Sequence, residues 1–297
     1  MNVGLSAYNM SAADLVDLAA ASDECGFSDL WLGEHIVLPC DYASEHPTTG
    51  ESAHQHHRGP IIDPHTKLVD PLVAMAAMAA VTTRLRLATG IYLLGARHPL
   101  VSARMTATLH DVSHGRFLLG VGSGWLREEF AALGIPFEER VGRYEEAIDV
   151  LRAAWAGGPF RHDGHHFRFD SVQVAAEPLA IPLILGGNTE PALARAVARA
   201  DGWFASGTPS FDDACHLRDR VRELRRAAGL TGAFPLWFRM PGSDPGELDR
   251  YRAEGFENVL VWADQLWPAI GNLAEKRAAL AAGAARLGVV SSVPVAL

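Results

Sequence analysis

The stretch RLRLATGIYLLGARHPLVSARMTATLHDVSHGRFLLGVGSGW, residues 84–125, decides the fold. Its first part, residues 85–94, is a largely apolar run, too short to span a membrane and typical of a strand buried on both faces. Pro99 and Gly115 predict the start and end of a helix, because proline lacks an N–H and glycine accepts a left-handed conformation. A second strand is predicted at 116–124. Parallel strands joined by a crossover helix place their carboxyl ends at one edge of the sheet.

The same alternation of strand and helix continues on both sides of this stretch. Predicted strands cover residues 3–8, 29–35, 85–94, 116–124, 182–187, 201–206, 234–240 and 258–263. This spacing predicts a parallel sheet, and eight such units in 297 residues favour a closed (β/α)8 barrel whose first and last strands pair. We predict one domain over residues 1–297, with insertions after the second and fourth strands. The first is a polar loop at 36–68, and the second contains helices and a hairpin at 160–174, centred on Asp-Gly.

Composition limits the classes of function. The net charge of −9 and the pI of about 5.8 argue against a nucleic-acid partner. Cys25, Cys40 and Cys215 contain no CxxC pair and cannot all form disulfides, which is typical of a reducing compartment. We see no signal peptide and no apolar run long enough to span a membrane. The sequence therefore predicts a cytoplasmic protein without a membrane partner.

Barrels of this kind carry their active sites at the carboxyl ends of the strands. The polar and glycine residues predicted there are Glu34, His35, Gly90 to Leu93, Ser123 to Trp125, Gly186 to Asn188, Ser206, Gly207, Arg239 and Trp262. A histidine with a pKa near ~6.5 can exchange a proton around neutrality, which makes His35 a candidate general acid or base. Gly90, inside the third strand, indicates a bulge, a close approach of a ligand, or a glycine that merely eases barrel closure.

Two glycine-rich turns are further candidates. Gly120, Gly122 and Gly124 do not have the spacing of the dinucleotide fingerprint G-x-G-x-x-G, and a turn that lets a flat ring approach the backbone fits them better. The turn Gly186-Gly187-Asn188 precedes a predicted helix, and backbone N–H groups at such a place suit a phosphate. Glycine-rich turns of this type are also common in barrels that bind no phosphate.

Four phrases along the chain resemble a known family. They are TRLRLATGIYLLGARHPL (83–100), GRFLLGVGSGWLREEF (115–130), Glu34-His35 and ILGGN (184–188). Their order and spacing resemble the luciferase-like hydride transferases and monooxygenases, and more narrowly the branch that uses the deazaflavin coenzyme F420. The resemblance extends from NVGLS (2–6) to the helix after residue 270 and implies a luciferase-like TIM barrel, commonly a homodimer.

The function that this resemblance implies is hydride transfer between coenzyme F420 and a small organic substrate. The alternatives are an FMN-dependent luciferase-like monooxygenase and a barrel that binds a flavin without turnover. Some sugar-phosphate dehydrogenases of the family carry a catalytic glutamate where Trp125 stands, so that substrate class is not expected here.

The resemblance also implies roles for individual residues. His35 would be the catalytic acid or base, and a non-prolyl cis peptide is expected at Gly90–Ile91, behind the cofactor ring. Many relatives carry aspartate where Glu34 stands. The cofactor-binding residues implied are Glu34, Thr89, Gly90, Ile91, Gly122, Ser123, Gly124, Trp125, Gly186, Gly187 and Asn188, with the last three near the phosphate side chain.

The polar loop contains several histidines, His46, His54, His56, His57 and His65. Their spacing could suggest a metal, but neither H-E-x-x-H nor a cysteine-rich pattern accompanies them. A solvated loop that covers the substrate is the preferred interpretation, and we predict no metal site.

Overall fold

The structure is a computed structural model that describes residues 1–45, 63 and 65–290. Its strands are β1 (Asn2–Ala7), β2 (Asp29–Leu32), β3 (Arg86–Thr89), β4 (Tyr92–Leu93), β5 (Phe117–Gly122), β6 (Phe160–Asp163), β7 (Arg168–Val172), β8 (Leu183–Gly186), β9 (Gly202–Phe204), β10 (Leu236–Arg239) and β11 (Asn258–Trp262). Its α-helices are α1 (Ala12–Cys25), α2 (Pro71–Ala80), α3 (Pro99–Val112), α4 (Arg127–Ala132), α5 (Arg140–Trp155), α6 (Glu190–Arg199), α7 (Phe211–Ala227), α8 (Pro245–Ala253) and α9 (Leu273–Arg286).

The parallel strands close into a barrel. Their order is β3-β2-β1-β11-β10-β9-β8-β5-β4, and pairing of β3 with β5 completes the ring. The first and last strands pair in parallel from Asn2 opposite Asn258 to Ser6 opposite Trp262. The predicted (β/α)8 barrel and the pairing of its ends are therefore confirmed.

The third barrel strand is broken, as predicted. β3 and β4 both pair with β5, but residues 90 and 91 lie outside the ladder, and the Gly90–Ile91 peptide bond is cis. The two predicted insertions are also present. One is the long segment between β2 and α2, and the other holds α4, α5 and the antiparallel hairpin of β6 and β7.

Several strands are shorter than the sequence predicts. The predicted strand at 29–35 ends at Leu32, and the one at 201–206 ends at Phe204. After Leu32 and Phe204 the chain leaves the ladder, and the residues that follow are partly or fully buried at the mouth of the barrel. Those residues, including Glu34, form the rim at which the candidate site lies.

Large side chains fill the inside of the barrel. Trp31 stacks on Phe204 with ring centroids 4.5 Å apart, and Trp237 lies 5.2 Å from Trp31. A second and larger apolar cluster lies between the strands and the surrounding helices. The inside of the barrel is thus a packed core of large side chains. Among the described residues, no helix is both long and apolar enough to cross a membrane.

Candidate active site

A cavity of about 240 Å³ opens at the carboxyl ends of the barrel strands. Most of the predicted site residues line it, namely Glu34, His35, Gly90, Ile91, Gly122, Ser123, Gly124, Trp125, Gly186 and Gly187. These residues come from four different strand ends and are brought together by barrel closure. Tyr8, Glu129 and Arg239 line the same cavity.

Two predicted cofactor-binding residues do not line the cavity. Thr89 is fully buried, and its hydroxyl donates a hydrogen bond of 2.7 Å to the carbonyl of Gly120. The Asn188 amide donates to the Ser206 carbonyl at 3.0 Å and accepts from the Ser206 N–H at 2.8 Å. Both side chains therefore hold neighbouring strands or turns in place, and their contact with a cofactor stays a prediction.

Glu129 fixes the orientation of His35. The Nδ1 atom of His35 lies 2.9 Å from one carboxylate oxygen of Glu129, whose residue is only 1% exposed. The other oxygen accepts backbone hydrogen bonds from Ile36 at 2.5 Å and Val37 at 3.3 Å. A histidine whose Nδ1 atom is held by a carboxylate keeps Nε2 for a ligand or a transferred proton. This arrangement is suited to proton transfer inside the cavity.

Glu34 stabilises the broken strand. One of its carboxylate oxygens lies 2.5 Å from the Arg97 guanidinium, and the other accepts a bond from the Leu93 N–H at 2.7 Å. Burial raises the pKa of Glu34, whereas Arg97 and the Leu93 N–H favour its charged form. Both carboxylate oxygens of Glu34 thus bond within the protein, and they link the segment after β2 to β4. Part of the Glu34 residue also lines the cavity.

A neighbouring carboxylate holds the loop that follows β2. Glu128 accepts backbone hydrogen bonds from Ala43 at 2.8 Å and Ser44 at 3.2 Å, and another from the Ser44 hydroxyl at 2.6 Å. The bonds from Ser44 and Ala43 lower the pKa of Glu128 to about 2. Glu128 and Glu129, adjacent on α4, thus hold two parts of the same loop against the cavity, beside Trp125.

Sequence reasoning missed the roles of Tyr8 and Glu129. Tyr8 directly follows β1, so the rule that barrel active sites lie at the carboxyl ends of strands could have identified it. Burial, with the charge of Glu129, raises the pKa of Tyr8 to about 12, so its hydroxyl stays neutral and can donate a hydrogen bond. Glu129 lies on a helix. The sequence feature that points to it is the acidic pair Glu128-Glu129, which follows the glycine-rich turn in GWLREEF.

The walls of the cavity fit a flat ring. A Cβ atom on Gly122 would lie 2.8 Å from Ile91 Cδ1, and one on Gly186 would lie 3.1 Å from Ile91 Cγ2. Glycine at both positions therefore leaves room for the Ile91 side chain, which borders the cavity together with Trp125 and Phe204. Such a cavity can hold a fused aromatic ring system, so the residues present fit the group that the resemblance implies.

The turn after β8 has the backbone that its glycines allow. Gly187 has φ of 115°, a left-handed value that strongly favours glycine. The helix α6 begins two residues after Asn188, and no side chain caps its first N–H groups. This geometry suits an anionic group, as predicted for the phosphate side of a cofactor.

The described part of the chain contains no cluster of three or more His, Cys, Asp or Glu side chains placed to hold a metal. His65 is exposed. His46, His54, His56 and His57 lie outside the described residues.

The sequence matches the family model of the luciferase-like monooxygenases over residues 2–240. It is 30% identical over 248 residues to an uncharacterised protein of Mycobacterium tuberculosis, a match that covers 83% of each chain. It is also 31% identical over 155 residues to an FMNH2-dependent dimethylsulfone monooxygenase of Pseudomonas fluorescens, covering 51% of this chain and 42% of the relative.

Solved structures share the fold. A monooxygenase from Streptomyces bottropensis aligns with a TM-score of 0.71 and 21% identity, over 97% of this chain and 98% of its own. An F420-dependent secondary alcohol dehydrogenase, solved with an F420–acetone adduct, aligns with a TM-score of 0.68 and 15% identity, over 88% and 92% of the two chains. An FMN-bound 3,6-diketocamphane monooxygenase from Pseudomonas putida aligns with a TM-score of 0.61 and 20% identity, over 86% and 72%.

The family model matches most of the chain, and the barrel with its broken third strand matches the predicted architecture. These findings confirm the resemblance on which the site was predicted. The chain belongs to the luciferase-like monooxygenase family.

Proposed function

We propose that this protein is an oxidoreductase that transfers hydride between coenzyme F420 and a small organic substrate. The observation that carries the proposal is the His35–Glu129 pair at the wall of a narrow, glycine-lined cavity. A carrier of flavin needs the narrow cavity but has no need for a histidine held ready to exchange a proton. The pair therefore favours catalysis over binding alone.

The deazaflavin ring, when bound, supplies or accepts the hydride. The protein would hold the ring between the Gly90–Ile91 bulge and the Gly122–Trp125 turn, and would place the phosphate side near Gly187 and the start of α6. His35 would give a proton to the substrate oxygen, or remove one in the reverse direction, through Nε2 while Glu129 holds Nδ1. Trp125 and the loop held by Glu128 would limit the access of water.

The alternative is an FMN-dependent monooxygenase, which the similarity to the dimethylsulfone monooxygenase favours. The two cofactors have fused rings of similar shape, so the ring cavity discriminates between them poorly. The GxGxGWLxEEF phrase, which resembles the F420-dependent branch of the family, favours deazaflavin over FMN. A homodimer also remains a proposal, which light scattering on the purified protein would test.

Binding titrations with oxidised F420, reduced F420 and FMN, under anaerobic conditions, test the choice of cofactor. Gly122→Leu would push against Ile91 at the cavity wall and should abolish ring binding. Gly232→Leu is the matched control, because nothing lies within 4 Å of a Cβ atom at Gly232. We expect saturable F420 binding, at least tenfold tighter than FMN binding, that Gly122→Leu removes and Gly232→Leu preserves.

Other outcomes would change the conclusion. Tight FMN binding with oxygen consumption, and no F420 binding, would establish the monooxygenase alternative. If neither ring binds the unaltered protein, the proposed function fails.

A further inference from the structure

Arg239, at the end of β10, is a buried cation at the wall of the cavity. The residue is 6% exposed. Its Nε donates to the Ser6 hydroxyl at 2.8 Å, Nη1 donates to the Gly207 carbonyl at 3.2 Å, and Nη2 donates to the Gly90 carbonyl at 3.0 Å. All three acceptors are neutral, so these bonds fix the position of the guanidinium without cancelling its charge.

Nothing else described near Arg239 supplies the missing negative charge. The guanidinium carbon lies 4.3 Å from the ring centroid of Phe204 and 4.8 Å from that of Trp262, and no described carboxylate forms an ion pair with it. Burial lowers the pKa of Arg239 to about 9, which leaves it charged at neutral pH. A buried charge without a counter-ion is costly, so a negatively charged group beside Arg239 would stabilise it.

The other charged groups of the cavity already have partners. Glu34 pairs with Arg97, and Glu129 is held by His35 and by the N–H groups of Ile36 and Val37. Tyr8 stays neutral because burial raises its pKa to about 12. Arg239 is therefore the cation of the described cavity that has no carboxylate contact, whereas Arg97 has one in Glu34.

The position of Arg239 indicates what it acts on. It lies directly behind the bulge, since a Cβ atom on Gly90 would come within 3.3 Å of Nη2. With so little of Arg239 exposed, a carboxylate on a substrate would not readily form a direct ion pair with it. A flat group lying over residues 90 and 91 would instead interact electrostatically with the guanidinium, with the backbone of residues 90 and 91 between them.

We propose that Arg239 makes the cavity bind the hydride-loaded, anionic form of the cofactor ring more tightly than the oxidised form. This inference rests on the proposed function. A hydride carries one proton and two electrons, so its transfer to the ring breaks a substrate C–H bond, forms one bond to hydrogen on the ring and adds one negative charge there. Two opposite unit charges about 6 Å apart, at an effective dielectric constant of about 20, attract by an energy that corresponds to about 100-fold in binding.

The dissociation constants of oxidised and reduced cofactor, measured anaerobically, test this inference. FMN is the first probe because its oxidised ring is uncharged. If the protein binds F420 but not FMN, oxidised and reduced F420 are compared instead. Arg239→Met should lower the preference for the reduced form by about 10- to 100-fold. Arg239→Lys, which keeps the charge, should retain most of that preference, and Arg239→Gln repeats the neutral substitution if Arg239→Met does not fold.

Arg218→Met is the matched control, since Arg218 is equally buried at 6% but lies outside this cavity, paired with Asp219. It should leave the preference unchanged. An unchanged preference in Arg239→Met, with both forms weakened equally, would overturn the inference while the proposed function stands. A change confined to the KM of anionic substrates would also overturn it, in favour of substrate recognition. If the unaltered protein binds neither cofactor, the proposed function fails and this inference fails with it.

Discussion

At the scale of single residues, His35 and Glu129 carry the proposed proton transfer. His35 was predictable because it follows a strand that ends at the catalytic face of a barrel. Glu129 was not, because it lies 94 residues further along the chain and meets His35 only through the packing of α4 against the loop after β2. No local pattern in the sequence states which carboxylate will lie beside a given histidine.

We expect His35→Ala to lower the rate of hydride transfer by about 10²- to 10⁴-fold, the usual contribution of a positioned acid or base. Cofactor affinity should change by no more than a few-fold. His35→Gln should be equally slow, because glutamine keeps a hydrogen bond but no titrating proton. Single-turnover rates and cofactor dissociation constants measure the two effects separately. If His35→Gln restored most of the rate, His35 would only seat the ring.

Glu129→Gln tests the support of His35. Its amide group can still accept a bond from the loop but cannot stabilise a protonated imidazole, so we expect a rate lower by about 10- to 100-fold. Glu128→Gln is the matched control, since Glu128 holds the same loop but does not contact His35 in the described structure. Stopped-flow absorbance of the cofactor would follow both variants. Equal rates for the two would show that the carboxylates serve only to hold the loop.

At the scale of elements, the order of strands and helices was predictable and the ends of the strands were not. Apolar alternation with helices is enough to predict eight units, and Gly90 correctly indicated the break in the third strand. The sequence does not show where ladder pairing stops, because residues after Leu32, such as Glu34, remain partly or fully buried. The sequence also does not show that the Thr89 and Asn188 side chains bond to neighbouring backbone, since a polar residue at a strand end can serve a neighbouring strand as well as a ligand.

Close approach between β3 and β5 predicts a sharp difference between two glycines. A Cβ atom on Gly120 would lie 1.9 Å from the Thr89 carbonyl oxygen, a backbone atom, whereas one on Gly122 would meet the flexible end of Ile91. Gly120→Ala should therefore cost about 3 kcal/mol or more in the free energy of unfolding, and Gly122→Ala less than about 1.5 kcal/mol. Urea unfolding measures both values. Similar losses for the two variants would contradict the described contact between the strands.

Asp23 links α1 to the start of the third barrel strand. The residue is 8% exposed and accepts backbone hydrogen bonds from Thr83 at 3.0 Å, Arg84 at 2.9 Å and Leu85 at 2.5 Å. Burial alone would raise the pKa of Asp23, but these bonds hold it below its usual value. The carboxylate thus stabilises the folded protein fully above the unfolded pKa of about 3.9, and this contribution is lost as pH falls through the lower folded pKa.

Asp23→Asn should lower the free energy of unfolding by about 2 kcal/mol at neutral pH, because the charge-assisted hydrogen bonds are weakened. The difference from the unaltered protein should stay constant from about pH 6 to pH 8 and shrink below about pH 4. Asp17→Asn, on the same helix, is the control. Denaturant unfolding over this pH range makes the comparison, and a difference that grew on acidification would contradict the assignment.

At the scale of the whole molecule, barrel closure explains why a site spread over so much of the chain forms one cavity. Residues from β1, the loop after β2, the broken third strand and the ends of β5, β8 and β10 meet only because the ring is complete. The sequence predicted this meeting place from the general rule for barrels. It did not predict the charge balance of the cavity, since the isolation of Arg239 from carboxylates depends on the three-dimensional arrangement alone.

A crystal structure of the protein grown with saturating coenzyme F420 tests the central claim most directly. The account predicts ring density in the cavity between the Gly90–Ile91 bulge and the Gly122–Trp125 turn, with His35 Nε2 facing the side open to substrate. Density for the ring anywhere else, such as the larger cavity of about 590 Å³ lined by Arg218, Phe234 and Phe256, would contradict it.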